Sequence, residues 1–108
     1  MHSLEVKSMG DPRVLALVGE LTIYSAHDLR GALEAALAET DLELDLGGVE
    51  EADTAGIQLL LWLKGEARAK GRTLAYTRHP PAVVEVMDLL GLAGIFGDPI
   101  LIAPTPGD

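Results

Sequence analysis

The run 41-DLELDL-46 places leucine at 42, 44 and 46 and a carboxylate at 41, 43 and 45. Successive side chains of an extended chain point to opposite faces, so this strand buries one face and shows the other to water. A doubly wound parallel sheet, covered by helices on both faces, would carry an apolar residue at nearly every position of such a strand. The alternation therefore calls for a sheet whose helices lie mainly on one side.

The flanking sequence supplies the other elements. Weak alternation in 4-LEVKSM-9, turn chemistry at Gly10-Asp11-Pro12 and the apolar run 13-RVLALVG-19 predict an antiparallel hairpin. Ser25 with Asp28 three residues later predicts a capped helix start. Leu29, Ala32, Leu33, Ala36 and Leu37 continue it at i, i+3, i+4, i+7 and i+8. A second helix runs from about Thr54 to Lys70 and stops at Gly71, with Leu59, Leu60, Leu63 and Ala67 on its core-facing arc. The segment 73-TLAYT-77 reads as a strand, Pro80-Pro81 opens a third helix over 82-AVVEVMDLL-90, and 100-ILIA-103 reads as a short last strand before a frayed tail at 103–108. The expected fold is a single α/β domain over 1–108. It has a mixed sheet of four to five strands linked by right-handed β-α crossovers.

Composition narrows the function. Eight Lys and Arg stand against 17 Asp and Glu, and a net charge of −9 repels phosphate backbones and anionic lipid surfaces. With aromatics at 4% there is no platform for stacking bases, so nucleic acid is an unlikely ligand class. The absence of cysteine removes disulfides and thiolate chemistry together. The longest stretch free of charged residues and His, 54–63, is far short of a membrane span, and the first ten residues lack a signal-peptide layout; the expectation is a cytoplasmic protein without membrane insertion. His2, His27 and His79 show no ligand spacing and read as surface or capping residues. Glu50, Glu51 and Asp53 read as a solvated acidic loop in preference to a Mg²⁺ site. No positioned base accompanies a Ser or Thr, so neither a catalytic residue nor a cofactor is expected.

The functional signal lies in Glu51-Ala52-Asp53-Thr54-Ala55-Gly56, a strand-to-helix elbow. Asp53 or Thr54 opens the helix, since either short side chain can accept from the free N–H groups of the first turn. If Asp53 is the cap, the Thr54 hydroxyl points outward beside a helix start, where a negative group such as phosphate is tolerated. Ile57 and Leu61 fall outside the core arc, next to Gln58 and on the side shared with Thr54. They are read as a partner-binding patch, against the alternative of a helix buried nearly all round.

Asp53-Thr54-Ala55-Gly56, entered through Leu46-Gly47-Gly48-Val49 and followed by Ile57-Gln58-Leu59-Leu60-Leu61, resembles the signature of STAS domains, the fold of bacterial anti-sigma factor antagonists. The likeness extends to Gly19-Glu20-Leu21 and to residues 83–96. It implies a β-α superhelix with helices on one side of the sheet, in agreement with the alternation at 41–46. It also implies a non-catalytic module that binds an anti-sigma factor with serine kinase activity. The acceptor position falls on Thr54, and the contact residues are Asp53, Thr54, Ile57, Gln58 and Leu61. Thr54 stands where the antagonists carry Ser, and Ala55 where they carry a second Ser. The D-T-A-G form also resembles two relatives, the STAS subunit of a phospholipid-transport ABC complex, which meets an ATPase, and STAS proteins that accompany chemotaxis proteins.

Overall fold

The computed structural model describes residues 1–92. The predicted strand at 100–103 and the tail at 103–108 lie outside them. Within this range the order is β1 (His2–Ser8), β2 (Arg13–Leu21), α1 (Ile23–Glu39), β3 (Leu42–Ala52), α2 (Thr54–Ala69), β4 (Leu74–Thr77) and α3 (Pro81–Leu89). The four strands form one sheet in sequence order. β1 pairs antiparallel with β2, whereas β2–β3 and β3–β4 are parallel. The mixed sheet predicted from sequence is therefore present, and each parallel pair is joined by a helix.

Register explains the core. Leu15 stands opposite Leu44, which stands opposite Tyr76, and Leu42 stands opposite Leu74. These residues and Leu46 are buried on the face that the helices cover. In the neighbouring row Ala16, Asp45 and Thr77 are aligned on the other face, where a charged residue such as Asp45 keeps access to water. α1 packs on α2, α2 on α3, and α3 on β3, so Leu29, Leu33, Leu60, Leu63, Val83 and Met87 close the same hydrophobic cluster. The Tyr76 hydroxyl enters that cluster but donates to the Leu60 carbonyl at 2.7 Å, which lets a polar atom be buried without leaving a donor unmatched.

Several element boundaries differ from those read in the sequence. β3 runs eleven residues, well past Leu46. Gly47-Gly48, a turn signal by composition, instead absorbs an extra residue on β3. Ala16 pairs with Asp45 and Val18 with Gly48, and the Gly47 N–H is held by the Asp45 carboxylate at 2.8 Å. Glu50 and Glu51 are thus strand residues and not part of a loop. Helix α1 starts before Ser25: Thr22 is its cap and Ser25 closes the reciprocal box, accepting from the Thr22 N–H at 3.0 Å. Ala32, expected in the core, is exposed, and Ser25 takes its place among the buried residues. His79, expected at the surface, is fully buried just ahead of Pro80. No helix among the described residues is long and apolar enough to cross a membrane.

The one-sided sheet makes unequal demands on neighbouring residues of β3. Leu44→Ala opens a cavity in the core between the sheet and its helices and should lower unfolding stability by about 2–5 kcal/mol. Glu43→Ala, one residue away on the wet face, should change it by no more than ~0.5 kcal/mol. Urea denaturation of both variants measures the contrast; similar losses would mean that both faces are packed.

Candidate functional site

The parallel strands β2 and β3 end level with each other, Leu21 opposite Ala52. Each is followed by one capping residue and then a helix: Thr22 before α1, Asp53 before α2. Two helix starts, each with unmatched N–H groups and a positive dipole end, are thereby brought to one place. In open α/β sheets, this carboxyl end of the parallel strands is where binding surfaces form.

Asp53 spans the gap. Its Oδ1 accepts from the Gly56 N–H at 2.9 Å, capping its own helix. Its Oδ2 accepts from the Ile23 N–H at 3.0 Å, the first residue of α1. Its backbone N–H donates to the Leu21 carbonyl at 3.2 Å, and its carbonyl receives Ile57 at 3.1 Å. One residue therefore ties β2, α1 and α2 together, the first through its main chain and the two helices through its carboxylate. Gly56 permits the approach: a Cβ there would lie 2.0 Å from the Leu21 carbonyl oxygen, so only glycine lets the first turn of α2 sit against the end of β2.

The sequence left the cap open between two residues, and the structure assigns it to Asp53. Thr54 is then the first residue of α2 and is exposed. Gln58, one turn on, is exposed too, and Leu61 is half-buried against the core. At i, i+4 and i+7, Thr54, Gln58 and Leu61 form a single ridge along the helix. Ile57 does not join them. It is 0% exposed and packs in the core with Leu21, which corrects its reading as a partner contact. The sheet end held by Asp53 and Gly56 draws the first turn of α2 inward. The buried sector thus runs from Gly56 and Ile57 to Ala67, wider than the arc of Leu59, Leu60, Leu63 and Ala67 alone.

Two residues that sequence reasoning missed border the elbow. Ile23 is 64% and Tyr24 87% exposed, both in the first turn of α1 beside the Asp53 carboxylate. The segment Gly19-Glu20-Leu21-Thr22-Ile23-Tyr24 reads as a connector in sequence; the signal available was a large apolar pair directly after a Thr cap. Beyond the elbow, α1 and α2 diverge to leave a groove of about 420 Å³, lined by Ala26, His27 and Arg30 on one side and Ala55, Gln58 and Trp62 on the other. The Arg30 guanidinium lies over the Trp62 ring, 4.0 Å from its centroid. Among the described residues no group of three or more His, Cys, Asp or Glu is placed to hold a metal ion.

A family model described as "Mlab, STAS domain" matches residues 4–102. None of the curated proteins matches in sequence. Solved structures resemble the chain in fold. An anti-sigma factor antagonist from Mycobacterium paratuberculosis superposes with a TM-score of 0.71 at 23% identity, covering 98% of this chain and 86% of that one. The phosphorylated form of the Bacillus cell fate determinant SpoIIAA gives 0.65 at 20% identity, covering 98% and 93%. An anti-sigma factor antagonist domain protein from Planctomyces limnophilus gives 0.67 at 15%, covering 94% and 91%.

The double role of Asp53 predicts graded losses. Asp53→Ala abandons two N–H groups and should destabilise by about 1–3 kcal/mol. Asp53→Asn, whose amide has only one acceptor oxygen, should fall between it and wild type. Gly56→Ala must push the helix away from Leu21 and should lose about 1–3 kcal/mol, although alanine is the better helix former. Chemical denaturation orders the three, and an Asp53→Ala indistinguishable from wild type would remove the bridge from the account.

Proposed function

This chain belongs to the STAS domain family, and from that premise we propose that it is a non-catalytic regulator that docks on another protein through the Asp53–Thr54 elbow. On this reading it acts as an anti-sigma factor antagonist, binds a kinase-type anti-sigma factor, and is switched by phosphorylation of Thr54. The observation that carries the reading is the exposed Thr54 at the start of α2, on a backbone fixed by the Asp53 bridge and bordered by exposed Ile23 and Tyr24. Asp53 supports the site from within, and Thr54, Gln58 and Leu61 provide the ridge that meets the partner.

The switch follows from charge. A phosphate adds ~1.5–2 negative charges. It would stand near the Asp53 carboxylate, with exposed Glu50 and Glu51 on the preceding strand end. The Gly56 N–H that could have received it is already engaged by Asp53, so the group projects outward. The helix dipole offsets only ~0.3–1 kcal/mol of the repulsion. The fold tolerates the change, whereas an interface must desolvate the charge, and every ~1.4 kcal/mol lost there weakens binding tenfold.

A second reading is favoured by the description of the matching family model. It takes the chain, by the resemblance of its D-T-A-G form, as a constitutive STAS subunit of a phospholipid-transport ABC complex, with Thr54 an unmodified contact to an ATPase. A place beside chemotaxis proteins is a variant of this reading, since there too the hydroxyl is only a contact.

Mass spectrometry after incubation with an anti-sigma factor that carries a serine kinase domain, ATP and Mg²⁺ separates the readings: the first expects one phosphate on Thr54, the second none. Thr54→Asp should weaken partner binding by about tenfold or more on the first reading. Thr54→Ala should leave binding nearly intact on the first and weaken it on the second. If neither substitution alters binding while both shift stability by ~0.5–2 kcal/mol, Thr54 is part of a helix start and nothing more.

A further inference from the structure

The groove between α1 and α2 has a chemistry unlike the rest of the surface. The chain carries a net charge of −9, yet this groove is lined by Arg30 and His27 and by no carboxylate, the nearest being Glu34 in the adjoining hollow that shares both residues. Several other cations are engaged, Arg13 with Glu39 at 2.8 Å, Lys70 with Glu66 at 3.1 Å, and Arg72 with the Leu37 and Ala38 carbonyls, whereas Arg68 in the last turn of α2 is exposed to water. Arg30 forms no ion pair among the described residues. Its guanidinium is held over Trp62 by cation–π attraction, which positions the group while leaving its N–H edge without a carboxylate. The remaining walls are Ala26, Ala55 and Leu59, with the Gln58 amide beside them, and one turn earlier on α1 stand the exposed Ile23 and Tyr24.

We propose that this groove receives a carboxylate side chain, Asp or Glu, from an acidic amphipathic segment of the partner protein, with Arg30 as the recognition residue and Trp62 as its support. The proposal deepens the docking reading above and rests on it for the existence of a partner. The guanidinium fork matches a planar carboxylate in a way that an ammonium does not. Apolar residues flanking that carboxylate would meet Trp62 on one side and Ile23 and Tyr24 on the other. A phosphate is a poorer occupant. Helix starts bind phosphate through free first-turn N–H groups, and here those of Gly56 and Ile23 already bind Asp53. Arg30 lies seven residues along α1 from Ile23, roughly 10 Å at 1.5 Å per residue. That is about one Debye length at physiological salt, so the Asp53 charge is weakened, though still felt, there.

Trp62 is the sole tryptophan, so its fluorescence and indole N–H resonance report on the groove directly. The full chain is titrated with an acetylated, amidated Leu-Glu-Glu-Leu peptide, with its Leu-Gln-Gln-Leu counterpart, and with inorganic phosphate. The expected result is a saturable change at Trp62 and at the Arg30 Nε–H with the Glu peptide, weakened by added salt and about tenfold or more weaker with the Gln peptide. Arg30→Gln, at an exposed position, should keep the wild-type circular dichroism and melting temperature yet lose the same factor, and Arg30→Lys should fall between. Equal binding of the two peptides, no change up to about 10 mM of the Glu peptide, or phosphate producing the same shifts at lower concentration would each overturn the proposal. The titration involves neither a kinase nor modified Thr54. Its failure therefore leaves the phosphorylation reading standing, and an unphosphorylated Thr54 leaves this one standing.

Discussion

The structure turns on one carboxylate. Asp53 caps α2 and, through its other oxygen, holds the first N–H of α1, which is 30 residues away in sequence. The arrangement follows from parallel pairing. Two parallel strands ending level deliver two helix starts side by side, each with orphan donors and a positive dipole end, and a single negative charge between them satisfies both. Gly56 completes it by letting α2 approach the Leu21 carbonyl as closely as a helix without a side chain can. The Asp and the Gly of the D-T-A-G sequence thus have structural reasons, and the residue between them with a hydroxyl, Thr54, is the one left facing outward.

How much of this could be read in the sequence depended on whether the deciding interaction was local. The alternation at Leu42, Leu44 and Leu46 gave a one-sided sheet because side-chain direction along a strand is a local property. Pro80-Pro81 likewise placed the start of α3. The continuation of β3 through Gly47-Gly48 is not legible in the run 41–46, because it depends on register with β2, which no local window contains. Thr22 was overlooked as a cap since Ser25 and Asp28 offered a plausible box of their own. In the structure, Ser25 instead bonds back to Thr22 and donates to the Glu20 carbonyl.

The site was legible in the same uneven way. Asp53 and Thr54 stood out by their position after a strand, while the second partner of Asp53, the Ile23 N–H, is a tertiary contact. Ile57 was assigned to the surface by its angle on a helical wheel. A wheel assumes one buried face, and α2 has neighbours on two sides, with α1 and α3 both packed against it. The Arg30–Trp62 pair joins residues 32 positions apart on separate helices, so its detection needed coordinates.

The Asp53 bridge also bears on what an encounter with another macromolecule would require. Flexible recognition loops must surrender conformational freedom when they engage, at roughly 0.5–1.5 kcal/mol for each side chain immobilised, with the ordering of the loop itself in addition. At this elbow the main chain around Thr54 is already fixed to both helices before any visitor arrives. Contact energy gained there goes into complex lifetime instead of into ordering, and a small footprint of preorganised groups can suffice.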